Sequence, residues 1–171
     1  MWRLLTPHLH LANVLELTVE RVRGLGLDGL LLDVDCTLKP YRADSFGAEV
    51  LAWVKGMTAV GIRLCLLSNG KARRISRLAA ALDLPFVAKA LKPLPFGCWA
   101  GLKKLGLPAS RAGVVGDQIF ADVMAGRLAG LFTILVTPTL PEQEPWFTRL
   151  KRPLERCVLR WMNTPQAPIP K

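Results

Sequence analysis

The stretch Gly29-Leu30-Leu31-Leu32-Asp33-Val34-Asp35-Cys36-Thr37-Leu38 carries the reading of this chain. Four residues without a polar side chain give way at once to two carboxylates spaced i, i+2. A short run that is apolar on consecutive positions is the pattern of a strand covered on both faces, as in parallel sheets. Two acids directly after such a run are costly to place together unless a cation or a reaction requires them.

The same pattern recurs on either side. Ile62–Leu67 is apolar apart from Arg63 and ends on Ser68-Asn69, Phe86–Ala88 runs toward Lys92-Pro93, and Gly113–Val115 ends on Gly116-Asp117-Gln118 with Asp122 one helical turn on. A fifth run is Phe132–Val136. Between the runs lie segments compatible with helices, roughly 45–59, 71–83, 94–105 and 119–129. Gly61, Gly106 and Gly130 stand where those helices would stop, and Asp44, Ser45 and Ser110 are the expected N-caps. Alternation of strand and helix at this spacing predicts an α/β fold, a three-layer α/β/α Rossmann-like parallel sheet. Ligands of such sheets bind beyond the carboxyl ends of the strands. Each polar cluster has an ordinary reading alone, as a turn, a cap or a solvated lysine. All four at strand ends, in this order, predict one crevice holding Asp33, Asp35, Ser68, Asn69, Lys92, Asp117 and Asp122.

Residues 1–27 are expected as an extended start and a helix near Ala12–Gly24, ahead of a core at 28–140. A basic and aromatic segment follows at 141–162, including Trp146-Phe147 and Arg149-Leu150-Lys151-Arg152. A Pro-rich end at 163–171 has the composition of disorder. The chain has 171 residues, 51% of them hydrophobic, enough for a buried core. No stretch reaches the roughly 18 uninterrupted apolar residues of a spanning helix. Pro7, His8 and His10 interrupt what would be the apolar part of a signal peptide. The expected location is therefore cytoplasmic or at a membrane surface. Cys36, Cys65, Cys98 and Cys157 are scattered without a metal-ligand spacing, and Cys65 reads as a buried small hydrophobe. The formal charge is +10, and residues 61–92 alone hold seven Lys/Arg against Asp83. That balance suits anionic partners: phosphorylated substrates, acidic lipid headgroups or nucleic acid.

The ordered set Asp33-x-Asp35-x-Thr37-Leu38, Ser68, Lys92 and Gly116-Asp117-x-x-x-x-Asp122 resembles the four motifs of the haloacid-dehalogenase superfamily of phosphohydrolases. The resemblance covers about 28–136. It implies that Asp33 is the nucleophile that becomes an aspartyl-phosphate, with Asp35 the general acid and base. It implies Mg²⁺ held by the Asp33 and Asp117 side chains and the Asp35 backbone carbonyl. Asp122 then orients metal waters or Lys92, and Lys92 offsets the charge of the phosphoryl oxygens. Ser68, Asn69 and Thr37 are the phosphate-side candidates, with Thr37 expected to brace the loop rather than react.

The gaps from Leu38 to Ile62 and from Ser68 to Lys92 are too short for a cap domain, so the site is expected to stay open to a large substrate. Within the capless members the chain is similar to the small phosphatidylglycerophosphate phosphatases. The features that match are the N-terminal helix leading through Gly29, Ala90-Leu91-Lys92-Pro93, Gly116-Asp117-Gln118-x-x-x-Asp122-Val123, and Glu144-Pro145-Trp146 before basic residues. Two positions depart: Cys36 stands where Asn is usual in this subgroup, and Leu91 where a basic residue often precedes the lysine. The resemblance implies an anionic phospholipid substrate and an acidic membrane surface as partner, with no nucleic acid expected. Trp146 and Phe147 read either as an interfacial anchor or as packing of the tail. The other readings are a phosphatase for a soluble phosphomonoester, a phosphoprotein or a nucleic-acid end, a receiver-like domain, or a basic nucleic-acid-binding module. A receiver needs its acceptor aspartate on a middle strand, where this chain has Ser68-Asn69. A nucleic-acid module would leave the acids without a role.

Overall fold

The computed structural model describes residues 2–140, with 142 and 153. The basic and aromatic C-terminal segment, the Pro-rich end and Cys157 thus lie outside the described residues. Six strands form one parallel sheet: β1 (Leu9–Leu11), β2 (Gly29–Leu32), β3 (Arg63–Leu67), β4 (Phe86–Val87), β5 (Ala112–Gly116) and β6 (Phe132–Val136). Their order is β1-β6-β5-β2-β3-β4. The helices are α1 (Val19–Gly24), α2 (Ala48–Ala59), α3 (Ala72–Leu82), α4 (Phe96–Leu105) and α5 (Met124–Leu128).

All four residues of β2 are buried because the strand is paired on both edges and covered on both faces. Successive side chains point to opposite faces. Leu30 and Leu32 accordingly join Val54, Met57, Ile75 and Leu78 of α2 and α3 in one core layer. Leu31 joins Cys65, Cys98, Leu102 and Ala125 in the other, under α4 and α5. This is the expected α/β/α sandwich, and Cys65 is a buried strand residue.

The chain leaves β2 toward β3 and β4 on one side, then returns to build β5 and β6 on the other. The order therefore reverses between β2 and β5, and a crevice opens at their carboxyl ends. Asp33 follows β2 there and Asp117 follows β5.

Three local expectations are corrected. The helix expected near Ala12–Gly24 is a 3₁₀ turn at Val14–Glu16 followed by the short α1, because Asn13 accepts the Leu15 N–H and Thr18 accepts the Arg21 N–H as separate caps. Helix α2 starts after Gly47 without a side-chain cap, so Asp44 and Ser45 lie upstream of it. Ser110 falls inside a 3₁₀ turn, Ala109–Arg111, rather than capping a helix. The stops at Gly61, Gly106 and Gly130 stand, each with positive φ.

Candidate active site

Asp33 and Lys92 meet at the centre of the crevice. Lys92 Nζ donates to Asp33 Oδ1 at 2.5 Å, to Asp122 Oδ1 at 2.6 Å and to the Leu67 carbonyl at 3.0 Å. The lysine reaches this position because its backbone is clamped: Asn69 Nδ2 donates to the Lys92 carbonyl at 3.0 Å and the Lys92 N–H donates to Asn69 Oδ1 at 2.9 Å. Asn69, expected on the phosphate side, thus spends its amide on placing Lys92. The Lys92-Pro93 peptide bond is cis.

Asp117 and Asp122 complete the acid cluster. One carboxylate oxygen from each of Asp33, Asp117 and Asp122 lies within 4.8 Å of the others, and all three residues are buried. Asp122 reaches in from a π-helical turn, Ile119–Val123, in which both the Asp122 and the Val123 N–H donate to the Gln118 carbonyl. Such turns widen a helix by one residue and recur at functional sites. Asp122 Oδ2 also accepts the Gln118 N–H at 3.1 Å, so this carboxylate is fully engaged in holding Lys92 and its own turn. Its close approach requires Gly116, where a Cβ would lie 2.2 Å from Asp122 Cγ. Thr37 Oγ1 donates to Asp117 Oδ1 at 3.3 Å, a bracing contact. Buried Ser68 accepts the Gly70 N–H on its Oγ at 3.1 Å, which leaves the hydroxyl hydrogen to donate elsewhere.

Asp35 is set apart from this cluster. Its carboxylate takes a two-pronged ion pair from Arg74 on α3 and a 2.9 Å contact from Lys39 Nζ. The Lys39 side chain is wholly buried and also donates to the Pro40 carbonyl. Neither base was legible as a site residue. Each reads in sequence as a solvated charge, and only the folded loop after β2 turns them onto Asp35.

The electrostatics follow from burial. Desolvation pushes the Asp33 carboxyl up to about 7, against the opposing pull of the Lys92 ammonium. Burial alone would lower Lys92, but the Asp122 and Asp33 carboxylates outweigh it and keep the ammonium charged. Burial likewise raises Asp35, yet hydrogen bonds from Arg74 and Lys39 win and hold it below the usual carboxylate range. Three buried carboxylates around one ammonium leave the cluster short of positive charge. An all-oxygen set of this kind matches a hard divalent cation in charge and in donor type.

A capless parallel sheet with an aspartate at the switch point, a buried lysine beside it and two further acids one strand away is the arrangement that the four-motif resemblance implied. The HAD-hydrolase-like family model matches residues 90–139, which contain Lys92, Asp117 and Asp122. The chain is 29% identical over 153 residues to the Bacillus subtilis protein named Probable phosphatase YqeG, covering 90% of this chain and 88% of that one. It is 24% identical to Phosphatidylglycerophosphate phosphatase 1, chloroplastic/mitochondrial, of Arabidopsis thaliana, covering 95% of this chain but 50% of the plant protein's length. In fold it is similar to the 3-deoxy-D-manno-octulosonate 8-phosphate phosphatase of Moraxella catarrhalis, solved with magnesium and phosphate ions. That similarity has a TM-score of 0.53 at 15% identity, over 85% of this chain and 94% of the other. The resemblance drawn from the four motifs is borne out by these matches.

Proposed function

We propose that this protein is a Mg²⁺-dependent phosphomonoester hydrolase that converts phosphatidylglycerophosphate to phosphatidylglycerol and inorganic phosphate. The observation that carries the reading is buried Asp33 at the switch point, with Lys92 Nζ at 2.5 Å and the oxygens of Asp117 and Asp122 within 4.8 Å.

In this reading an Asp33 oxygen attacks the phosphorus, the bond to the ester oxygen breaks, and an aspartyl-phosphate forms. The departing alkoxide takes a proton from Asp35, which later removes one from the water that hydrolyses the acyl phosphate. To do so Asp35 must first give up its Arg74 and Lys39 contacts and take a proton from solvent, since both contacts hold it as a carboxylate. Lys92 offsets negative charge on Asp33 and on the transferring group, and the Ser68 hydroxyl donates to a phosphoryl oxygen. Asp33, Asp117 and the Asp35 carbonyl would hold Mg²⁺, which when bound would supply the positive charge that the anionic nucleophile and the phosphate lack.

The substrate reading draws on three supports. The connections from β2 to β3 and from β3 to β4 carry one helix each and no cap, so the crevice stays open. The net charge of +10 suits an anionic headgroup. The plant relative's name points to the same ester.

The test is phosphate release from phosphatidylglycerophosphate in mixed micelles with Mg²⁺, comparing wild type with Asp33→Asn. The expected result is release that needs the metal and falls about a thousandfold or more in the variant. Asp33-dependent turnover of an aryl phosphate without any lipid turnover would keep the mechanism and discard the lipid. Silence on both substrates would sink the enzyme.

A further inference from the structure

A helix that covers a sheet ordinarily turns its bulky apolar side chains inward and its small or polar ones outward. The first turns of α4 do the reverse. Their buried face is Gly97, Cys98 and Gly101. A Cβ on Gly97 would lie 2.5 Å from the Ala90 carbonyl oxygen, and one on Gly101 would lie 2.7 Å from Leu31 Cδ2. Phe96 and Trp99 point outward instead, 55% and 49% exposed, in an edge-to-face pair with centroids 5.7 Å apart. Just upstream, the turn that sends Lys92 into the crevice is closed by the Leu94 N–H donating to the Leu91 carbonyl at 2.9 Å. Its corner residues Leu91 and Leu94 are 60% and 48% exposed. One short segment therefore aims the lysine inward and four large apolar side chains outward.

Position and charge say what this surface meets. A helix that follows a parallel strand starts at the strand's carboxyl end, so Phe96 and Trp99 stand on the rim of the crevice. Residues 84–116 contain five Lys/Arg and no Asp or Glu. Lys103 is exposed on the same helical stripe, one turn from Trp99, and Lys71 and Lys89 are exposed near the crevice. Aromatic and aliphatic tips ringed by lysines match a bilayer interface, where rings enter the headgroup boundary and ammonium groups meet acidic headgroups. A second copy of this chain would bring the same positive surround against it and be repelled.

We propose that Leu91, Leu94, Phe96 and Trp99 are the surface by which this protein seats itself on an anionic lipid bilayer, crevice toward the headgroups. This rests on the lipid-phosphate reading of the site and adds the residues that bring the two together.

The test is co-sedimentation of the full chain with vesicles of phosphatidylcholine, alone or mixed with phosphatidylglycerol, beside aryl-phosphate turnover in vesicle-free solution. Wild type and Asp33→Asn are expected to bind the mixed vesicles alike and the neutral ones weakly. The double variant Phe96→Ser with Trp99→Ser is expected to lose at least about tenfold in partitioning while aryl-phosphate turnover stays unchanged. Phe96→Tyr with Trp99→Phe keeps the rings and is expected to keep binding, which separates a lost anchor from a lost fold. Unaltered binding by the serine variant, equal binding to neutral vesicles, or a wild-type dimer that the serine variant dissolves would each overturn the proposal. Vesicle binding without Asp33-dependent turnover would uphold the surface and reject the phosphatase; turnover without vesicle binding would do the opposite.

Discussion

Cys36 occupies the left-handed region, with φ at 64°, in the loop between the two aspartates' strand and Lys39. An L-residue in that region meets a clash of Cβ with the carbonyl worth roughly 1–2 kcal/mol, which Asn tolerates better than most residues. The loop keeps the conformation because the Cys36 N–H donates to the Lys39 carbonyl at 2.8 Å and its own carbonyl accepts the Thr139 N–H at 2.8 Å. A Cys rather than an Asn at this position thus acts on backbone shape before it acts on chemistry. Cys36→Asn is expected to be at least as stable as wild type. Cys36→Val, with a branched Cβ in the same conformation, is expected to lose about 1–2 kcal/mol. Urea unfolding of the three chains checks this, and a Val variant as stable as the Asn variant would refute the backbone account.

Two elements place the site and its far edge. The π turn at Ile119–Val123 brings Asp122 against Gly116, so Gly116→Ala drives a methyl into the carboxylate at both its Cβ and Cγ. The expected outcome is a loss of about 1–3 kcal/mol from overpacking, together with loss of turnover as Lys92 loses its second partner. Thermal unfolding and aryl-phosphate assays measure both, and a fully active variant would count against Asp122 as a partner that holds the Lys92 ammonium. At the sheet edge, β1 is pinned by the His8 ring, which stacks on Phe132, accepts the Thr133 N–H at 2.9 Å and faces Arg127 at 2.7 Å. Burial and then the Arg127 charge lower the His8 pKa, and burial lowers His10 against the opposing pull of Glu16. At these two imidazoles the folded chain therefore binds fewer protons than the unfolded one below about pH 6.5, so their contribution to stability falls as the pH drops through that value, while the raised Asp33 carboxyl contributes with the opposite sign. His8→Gln is expected to flatten this acid slope while leaving the part due to His10. Melting temperatures at a series of pH values decide it, and an unchanged slope would remove His8 from the account.

For the molecule as a whole, the proposed binding of Mg²⁺ at the acid cluster would be linked to folding. A cation that binds only the folded chain stabilises it by about 2.7 kcal/mol at a hundred times its dissociation constant. For a chain of this size that corresponds to a melting-temperature rise of roughly 5–10 °C with Mg²⁺. Asp117→Asn is expected to abolish the rise, and calorimetry with and without the metal reads it independently of turnover. Among the described residues no helix is long and apolar enough to cross a membrane.

What was legible in the sequence is what short-range pattern encodes. Consecutive apolar positions in Gly29–Leu32 and Gly113–Val115 mark strands covered on both faces, and a polar residue ending each run marks a carboxyl end. Those two signals marked strands β2 to β6, the sheet type and the set Asp33, Ser68, Lys92, Asp117 and Asp122. The edge strand β1 escaped because Leu9-His10-Leu11 is short and only half covered. The roles of Arg74, Lys39 and Asn69 were decided by tertiary structure alone, since a charge or amide on a helix or loop carries no sign of the partner that folding brings to it. The outward turn of Phe96 and Trp99 belongs to the same class. In sequence the segment 94–105 reads only as a helix, and only the close approach of Gly97 to Ala90 and of Gly101 to Leu31 put the small residues inside and the rings on the rim.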